Sequence, residues 1–198
     1  RLTAVPEPRF SVVVPLFNEQ FAVAGTIVDI RDYFEGCGDS YEILLVDNAS
    51  TDATRSHADP LLDGDKVRLL VNDANLGKGF SVRRGMLEAR GEIRLHCDAD
   101  CAPSLASLPK MLELLKSNDL VIGSRLAAGA ELGQRQTLPR RFVGRGFQQC
   151  CRAILNEPTR DLFCGFKLWR GEAAEDVFER LSLDGWTYDA EAIAMARA

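Results

Sequence analysis

No run of apolar residues in this sequence approaches the ~20 that cross a bilayer as a helix, and no signal peptide is visible in it. Positive charge is in deficit: the 198 residues carry a net charge of −5, which argues against a general nucleic-acid binder. Histidine is scarce, with only His57 and His96. They make a poor catalytic dyad, and His96 falls mid-strand, where a structural side chain is expected. The six cysteines, at 37, 97, 101, 150, 151 and 164, form no disulfide framework, because a chain of this size needs no covalent staples. Cys97 and Cys101 have no second cysteine pair or nearby histidine to complete a zinc set. The cysteines are therefore expected to be mostly small buried hydrophobes in a reducing, cytosolic protein. There is no internal repeat and no low-complexity segment. The Gly-x-x-x-x-Gly-Lys spacing of a P-loop is also absent.

What is present is an ordinary globular composition, 46% apolar and 27% charged, with enough length for one well-buried core. Residues 1–9 hold two prolines and no periodicity, and read as a flexible lead-in to one domain over 10–198. The chain starts without Met and stops inside the helix-like pattern Asp189 to Ala198, so a C-terminal truncation is expected. Strand-like runs occur at Phe10 to Val14, Tyr41 to Val46, Val67 to Val71, Ile93 to Cys97 and Leu120 to Ile122. Helical patterns separate them: one from near Phe21 with Val23, Ile27 and Ile30 inward, one with Val82, Met86 and Ala89 inward and stopped by Gly91, and one over Leu105 to Lys116. Strand and helix in alternation predict an α/β fold, a mostly parallel central sheet with helices on both faces. Further helices are expected at Glu172 to Leu181 and from Trp186 onward. Expected caps are Asn18, Ser50 or Thr51, and Asp189.

The run Ile93 to Cys97 ends in Asp98-Ala99-Asp100. Alternate residues of an extended segment point to one side, so the two carboxylates aim at one point beyond a strand's carboxyl end. That is where open α/β sheets bind ligands. Hard oxygen ligands there suit Mg²⁺ or Mn²⁺ shared with phosphates; a polar strand end with a turn is the plain alternative. Asp47 ends the second strand, where a carboxylate commonly meets ribose or base. Arg125 ends the fifth. Gly77-Lys78-Gly79 offers close backbone approach to a ligand, whereas Arg83 and Arg84 read as solvent charges. Between Leu132 and Asn156 there are arginines at 135, 140, 141, 145 and 152 and no acid. On a helix starting near Pro139, Arg141, Arg145, Gln148 and Arg152 share one face. Such a face suits phosphates or an anionic membrane, and is equally compatible with a solvated charged surface. Asp161 precedes the apolar, Gly-containing run Leu162 to Leu168 and on its own reads as a simple loop residue.

In this order the segments resemble glycosyltransferase family 2 and its nucleotide-binding GT-A fold. The resemblance lies in Val14-Pro15-Leu16-Phe17-Asn18-Glu19, in Val46-Asp47-Asn48-Ala49-Ser50-Thr51-Asp52 against the family's Val-Asp-Asp-Gly-Ser-x-Asp, and in Asp98-Ala99-Asp100. More narrowly, Asn75 to Gly79, Val82-Arg83, Gly85-Met86, Arg90-Gly91, Asp161, Cys164 to Leu168, and Trp186 with Asp189 and Glu191 resemble the dolichyl-phosphate β-glucosyltransferases. The resemblance implies inverting transfer of a sugar, glucose from UDP-glucose, to a polyprenyl or dolichyl phosphate. The protein would be cytoplasmic and peripheral to the cytoplasmic face of a membrane. Asp98 and Asp100 would bind Mg²⁺ or Mn²⁺. Pro15, Phe17, Glu19, Asp47, Lys78, Asp98 and Ala99 would hold the nucleotide-sugar donor. Arg125 and Asp100 would serve catalysis, with Asp161 as base or acceptor-orienting group. Arg140, Arg141 and Arg145 would take the acceptor phosphate. Departures are Asn48 and Ala49 for Asp-Gly, and Ala102 where mannose synthases carry a glutamine metal ligand. The competing readings are a family-2 transferase with a soluble glycan acceptor and a non-catalytic nucleotide-sugar-binding module.

Overall fold

The structure, a computed structural model, describes residues 7–100, 102–123, 146, 148–153, 159 and 161–197. Strands β1 (Phe10–Leu16), β2 (Tyr41–Asp47), β3 (Val67–Val71), β4 (Ile93–Cys97), β5 (Leu120–Ile122) and β6 (Phe166–Arg170) form one sheet in the order β3-β2-β1-β4-β6-β5. β1 runs parallel to β2 and β4, and β2 to β3. β6 is antiparallel to both its neighbours. Helices with bounded ends among the described residues are α1 (Val23–Cys37), α2 (Thr54–Ala58), α3 (Lys78–Glu88), α4 (Leu108–Leu115), α5 (Gly171–Arg180) and α6 (Tyr188–Arg197), and residues 148–153 are also helical.

Alternation along the strands divides the core into two layers. Val12, Val14, Ile43 and Leu45 pack with Ile27, Ile30 and Phe34 of α1 and Leu108 and Met111 of α4. Val13, Leu44 and Val46 pack on the other face with Val82 and Met86 of α3, Val177 and Phe178 of α5, and Ala192 of α6. The β-branched runs thus form central strands buried on both faces. Pro15 is tolerated inside β1 for a specific reason. Leu16 O accepts from Asn48 N, so Leu16 faces β2 and the alternate Pro15 faces β4. The β1–β4 pairing has already stopped at Val13 and His96, so no ladder bond awaits the missing N–H.

Several local expectations change. β6 was not among the expected strands; Lys167 interrupts its apolar pattern, yet is itself buried. The helix expected over Leu105 to Lys116 begins as a 3₁₀ turn, Ala102–Ser107, and becomes α-helical only at Leu108, where Pro109 fits the first turn. α3 ends at Glu88, before Gly91. Asn18 caps no helix: it adopts φ +58, and its Oδ1 accepts from Thr51 N. Asp52, not Ser50 or Thr51, bonds the start of α2, accepting from Thr54 N. Arg83 and Arg84 are tethers: Arg83 donates to Leu181 O, and Arg84 to Val71 O and Asn72 Oδ1. Cys97 and Cys164 are buried as expected, but Cys37 and Cys150 are exposed.

At the end of the sheet opposite the loops that follow β1 and β4, Glu42 of β2 is buried. It accepts from Ser11 Oγ at 2.6 Å, Arg90 N at 2.8 Å, Arg90 Nε at 2.9 Å and Arg68 at 3.0 Å. Burial alone would raise its carboxyl, but these bonds outweigh burial and leave it below the ordinary glutamate value.

Candidate active site

The chain leaves β1 toward β2 on one side and returns to place β4 on the other. The crevice beyond these two carboxyl ends is the topological switch point, the ligand site of open α/β sheets. Glu19 reaches it from the loop after β1, and Asp98 and Asp100 from the loop after β4. The Glu19 carboxyl is pushed up, first by burial and then by the negative charges of Asp100, Asp98 and Asp52, so these acids share one field.

Asp98 is the most tightly held of them. Its N–H donates to Gly165 O at 2.8 Å. Its Oδ2 accepts from Lys78 Nζ at 2.7 Å, and its Oδ1 lies 3.0 Å from His96 Nε2. Burial works against its charge, but the His96 hydrogen bond and the Lys78 charge win and hold its carboxyl well below the usual carboxylate range. His96 is fully buried, which pushes its pKa down and keeps the ring neutral. A neutral imidazole has one N–H, and the anion at Oδ1 claims it for Nε2. Nδ1 then accepts from the Tyr188 hydroxyl at 3.3 Å. A β-carbon on residue 165 would lie 1.8 Å from Asp98 Oδ2, so only glycine fits there. Lys167, paired across the strands with His96, sits 2.6 Å from Asp189 Oδ1 and donates to Cys164 O. Asp189 is therefore a buried counter-ion rather than a helix cap.

The loop after β1 is laced to the loop after β2. Asn18 N donates to Ser50 Oγ, Glu19 N to Thr54 Oγ1, Gln20 N to Asp52 and Ala53 N to Gln20 Oε1. Asn48 extends this lacing to the loop before α3: its Nδ2 donates to Asn75 Oδ1, and its Oδ1 accepts from Asn72 Nδ2 and Leu76 N. Ala49 has φ +60, a left-handed conformation that a β-carbon disfavours by about 1–2 kcal/mol. Ala49→Gly should therefore stabilise the fold by about 0.5–1 kcal/mol, net of the extra freedom glycine gains when unfolded. A thermal melt should show a higher midpoint, and an unchanged or lowered one would contradict the expectation.

Of the residues expected at the site, Glu19, Lys78, Asp98 and Asp100 are brought together. Phe17 is partly exposed beside them in sequence, and Pro15 is half-buried at the end of β1. Asp47 is turned inward: its carboxylate is buried, accepts from Ser50 N and pairs with Arg55, whose side chain is the exposed member. Ala99 is also turned into the core, its carbonyl accepting from Thr26 Oγ1. Asp161 is buried ahead of β6. Arg125, Arg140, Arg141 and Arg145 lie outside the described residues. The close approach expected of Gly77 and Gly79 is real, but its partner is protein. β-Carbons there would fall 2.2 Å from Asp184 O and 2.5 Å from Leu183 O. The segment before α6 thus lies across the start of α3, and Phe80 N donates to Asp184 O. It carries Trp186, 71% exposed, whose ring centre is 5.1 Å from Lys78 Nζ. His96 is the satisfied structural side chain expected in mid-strand, but its bond to Asp98 and the place of Gly165 against that carboxylate were missed. The signal for His96 was present, since i and i+2 share a strand face and Asp98 is two residues on.

Among the described residues, no group of three or more histidine, cysteine or acidic side chains is arranged to hold a metal. The profile of the family described as "Glycosyl transferase family 2" matches residues 11–178. The chain belongs to this family. It is 32% identical to the dolichyl-phosphate beta-glucosyltransferase of Mus musculus over 97% of this chain and 64% of that protein. The Saccharomyces cerevisiae protein of the same name is 29% identical over 94% of this chain and 62% of its own length. The chain thus spans less than two thirds of these relatives. Among solved structures, it is similar to glucosyl-3-phosphoglycerate synthase from Mycobacterium tuberculosis, in complex with Mn²⁺, UDP and phosphoglyceric acid. The TM-score is 0.65 at 20% identity, covering 94% of this chain and 63% of that one. A Pyrobaculum calidifontis mannosyltransferase in complex with GDP-Man and Mn²⁺ gives a TM-score of 0.56 at 20% identity, over 87% of this chain and 47% of the other. The fold is that of the GT-A members of the family. No helix among the described residues is long and apolar enough to cross a membrane.

Proposed function

We propose that this chain is the catalytic domain of an inverting, metal-dependent transferase that moves glucose from UDP-glucose to a polyprenyl or dolichyl phosphate. It would work peripherally, at the cytoplasmic face of a membrane. The observation that carries this reading is the convergence of Asp98, Asp100, Glu19 and Lys78 at the β1/β4 switch point, in a chain whose relatives bear the dolichyl-phosphate beta-glucosyltransferase name. The donor set fits a hard divalent cation. Asp98 is kept ionised, Asp100 is exposed, and the crowding of like charge that raises Glu19 is what a cation relieves. Asp98 and Asp100 would hold Mg²⁺ or Mn²⁺, which supplies charge to the departing nucleoside diphosphate.

The chain's own groups do the rest. Lys78 meets the diphosphate, and Arg125 adds a further positive charge. Phe17 and Pro15 wall the base, while Glu19 and the Asp47–Arg55 pair meet the nucleoside. Ala99 keeps the two acids one residue apart and anchors their loop to α1 through Thr26. The acceptor, a phosphate monoester with a second pKa of about 6, is already a dianion near neutral pH. It needs placement more than deprotonation, and Asp161 orients its site. Transfer of radiolabelled glucose from UDP-glucose to extracted polyprenyl phosphate tests the reading; no transfer with Mg²⁺ or Mn²⁺ present would overturn it.

Arg140, Arg141 and Arg145 serve the acceptor, whose head group lies at a membrane surface. Arg141 and Arg145 are four residues apart in sequence and suit one phosphate. Replacing both by Ala should raise the apparent KM for lipid phosphate roughly tenfold or more, since charge-assisted bonds contribute about 1.5–3 kcal/mol each. The KM for nucleotide sugar should stay nearly unchanged. Binding to anionic vesicles should weaken, with a flatter salt dependence. Steady-state kinetics showing the opposite split would move these arginines to the donor site.

A further inference from the structure

The reading above gives Lys78 to the donor and Asp98 to the metal, yet in the structure the two hold each other. Lys78 Nζ is 2.7 Å from Asp98 Oδ2, and His96 takes Oδ1, so each carboxylate oxygen already has a donor. The side chains are 15% and 24% exposed. The pair is shielded enough to matter and open enough to be exchanged. A divalent cation bound at Oδ2 would share that oxygen with the ammonium, and two cations on one oxygen repel. A diphosphate, by contrast, attracts the ammonium. The Lys78 ammonium also lies 5.1 Å from the ring centre of Trp186, which is on the exposed rim.

We propose that Lys78 is an internal counter-ion that couples metal binding to nucleotide binding. It sits on Asp98 until a nucleoside diphosphate draws it away, and that departure frees Asp98 for the cation. Metal and nucleotide then bind synergistically, and the coupling is reciprocal by linkage: each tightens the other by the same factor. The inference rests on the functional reading only where that reading assigns a metal and a nucleotide to this crevice. It is indifferent to the sugar and the acceptor.

The test is a titration with Mn²⁺, following the electron paramagnetic resonance of the free ion. It uses the unaltered chain, Lys78→Met and Lys78→Arg, each with and without saturating UDP, corrected for Mn²⁺ taken up by UDP itself. Affinity for UDP alone is measured by calorimetry, and circular dichroism confirms folding. Lys78→Met should bind Mn²⁺ alone on the order of tenfold more tightly than the unaltered chain. It should bind UDP alone more weakly, and UDP should tighten its Mn²⁺ binding by a smaller factor. Lys78→Arg, which keeps a cation on Asp98, should keep the weak Mn²⁺ binding. If Lys78→Met does not fold, Lys78→Gln reads the same way. A general loss of positive charge would tighten Mn²⁺ equally with and without UDP, so an unchanged coupling factor overturns the proposal. So does weaker binding of Mn²⁺ alone. Failure of the unaltered chain to bind either ligand would overturn the functional reading as well, whereas intact coupling without sugar transfer would overturn only that reading.

Discussion

Changing Asp100 to Asn should cut the rate of sugar transfer by roughly a hundredfold or more and leave the fold standing. A cation on a leaving diphosphate contributes several kcal/mol to the transition state, and each 1.36 kcal/mol is about tenfold in rate. Asn keeps the shape of Asp100 but gives up the charge that holds the cation. Asp100 is exposed on the turn after β4, so its replacement should move stability by no more than about 0.5 kcal/mol. A second readout is independent of catalysis. Asp100 is the leading charge among those that raise the Glu19 carboxyl. In Asp100→Asn, Glu19 should therefore titrate at lower pH, as followed by carboxyl chemical shift. A variant with full activity, or a native rate undiminished by excess EDTA, would take the metal out of the reaction.

Replacing Glu42 by Ala should cost about 3 kcal/mol of stability, the lower end of what breaking a buried ion pair costs. The lower end applies because Arg68 and Arg90 retain partial access to water and can swing outward. The backbone N–H of Arg90 and the hydroxyl of Ser11 lose their acceptor outright. The pH dependence has a definite sign. Glu42 has a folded pKa below its unfolded value of about 4.3. Its contribution is therefore fully present above that pH and is lost as pH falls through the folded pKa. In Glu42→Gln this part of the acid limb should flatten. Urea denaturation at several pH values checks both statements. A variant as stable as the parent, or an unchanged acid limb, would show that the Ser11–Arg68–Arg90 shell holds without its anion.

The strands were legible where β-branched residues run together, as in Val12-Val13-Val14 and Ile43-Leu44-Leu45, because burial on both faces leaves one composition to read. β6 was not, since Lys167 is buried by pairing with Asp189, a residue contributed by the last helix. The acidic pair was found from strand alternation. Its partners were hidden, because Lys78, Gly165 and Tyr188 come from three other elements. Gly77 and Gly79 announced close approach correctly but not its object, since sequence does not say which backbone arrives. The Asn48-Ala49 departure was visible as two letters. Its consequences, a polar knot and a strained φ, appear only once the dihedral and the neighbouring loop are seen.

The link from Asp98 through His96 to Tyr188 has a temporal consequence. Its last step joins residues 92 apart in sequence, and the Arg83–Leu181 bond joins residues 98 apart. Contacts of such separation form late, because the loop they close must first be gathered in. A ribosome making this chain at about 5–20 residues per second releases β1, β2 and β3 with their local crossovers seconds before Tyr188 exists. The nascent domain can pair half its sheet in that interval, while Asp98 and Lys78 still lack the segment that closes over them. A ribosome stalled before Tyr188 would therefore hold a folded half-sheet in which the His96 ring still lacks its hydroxyl partner.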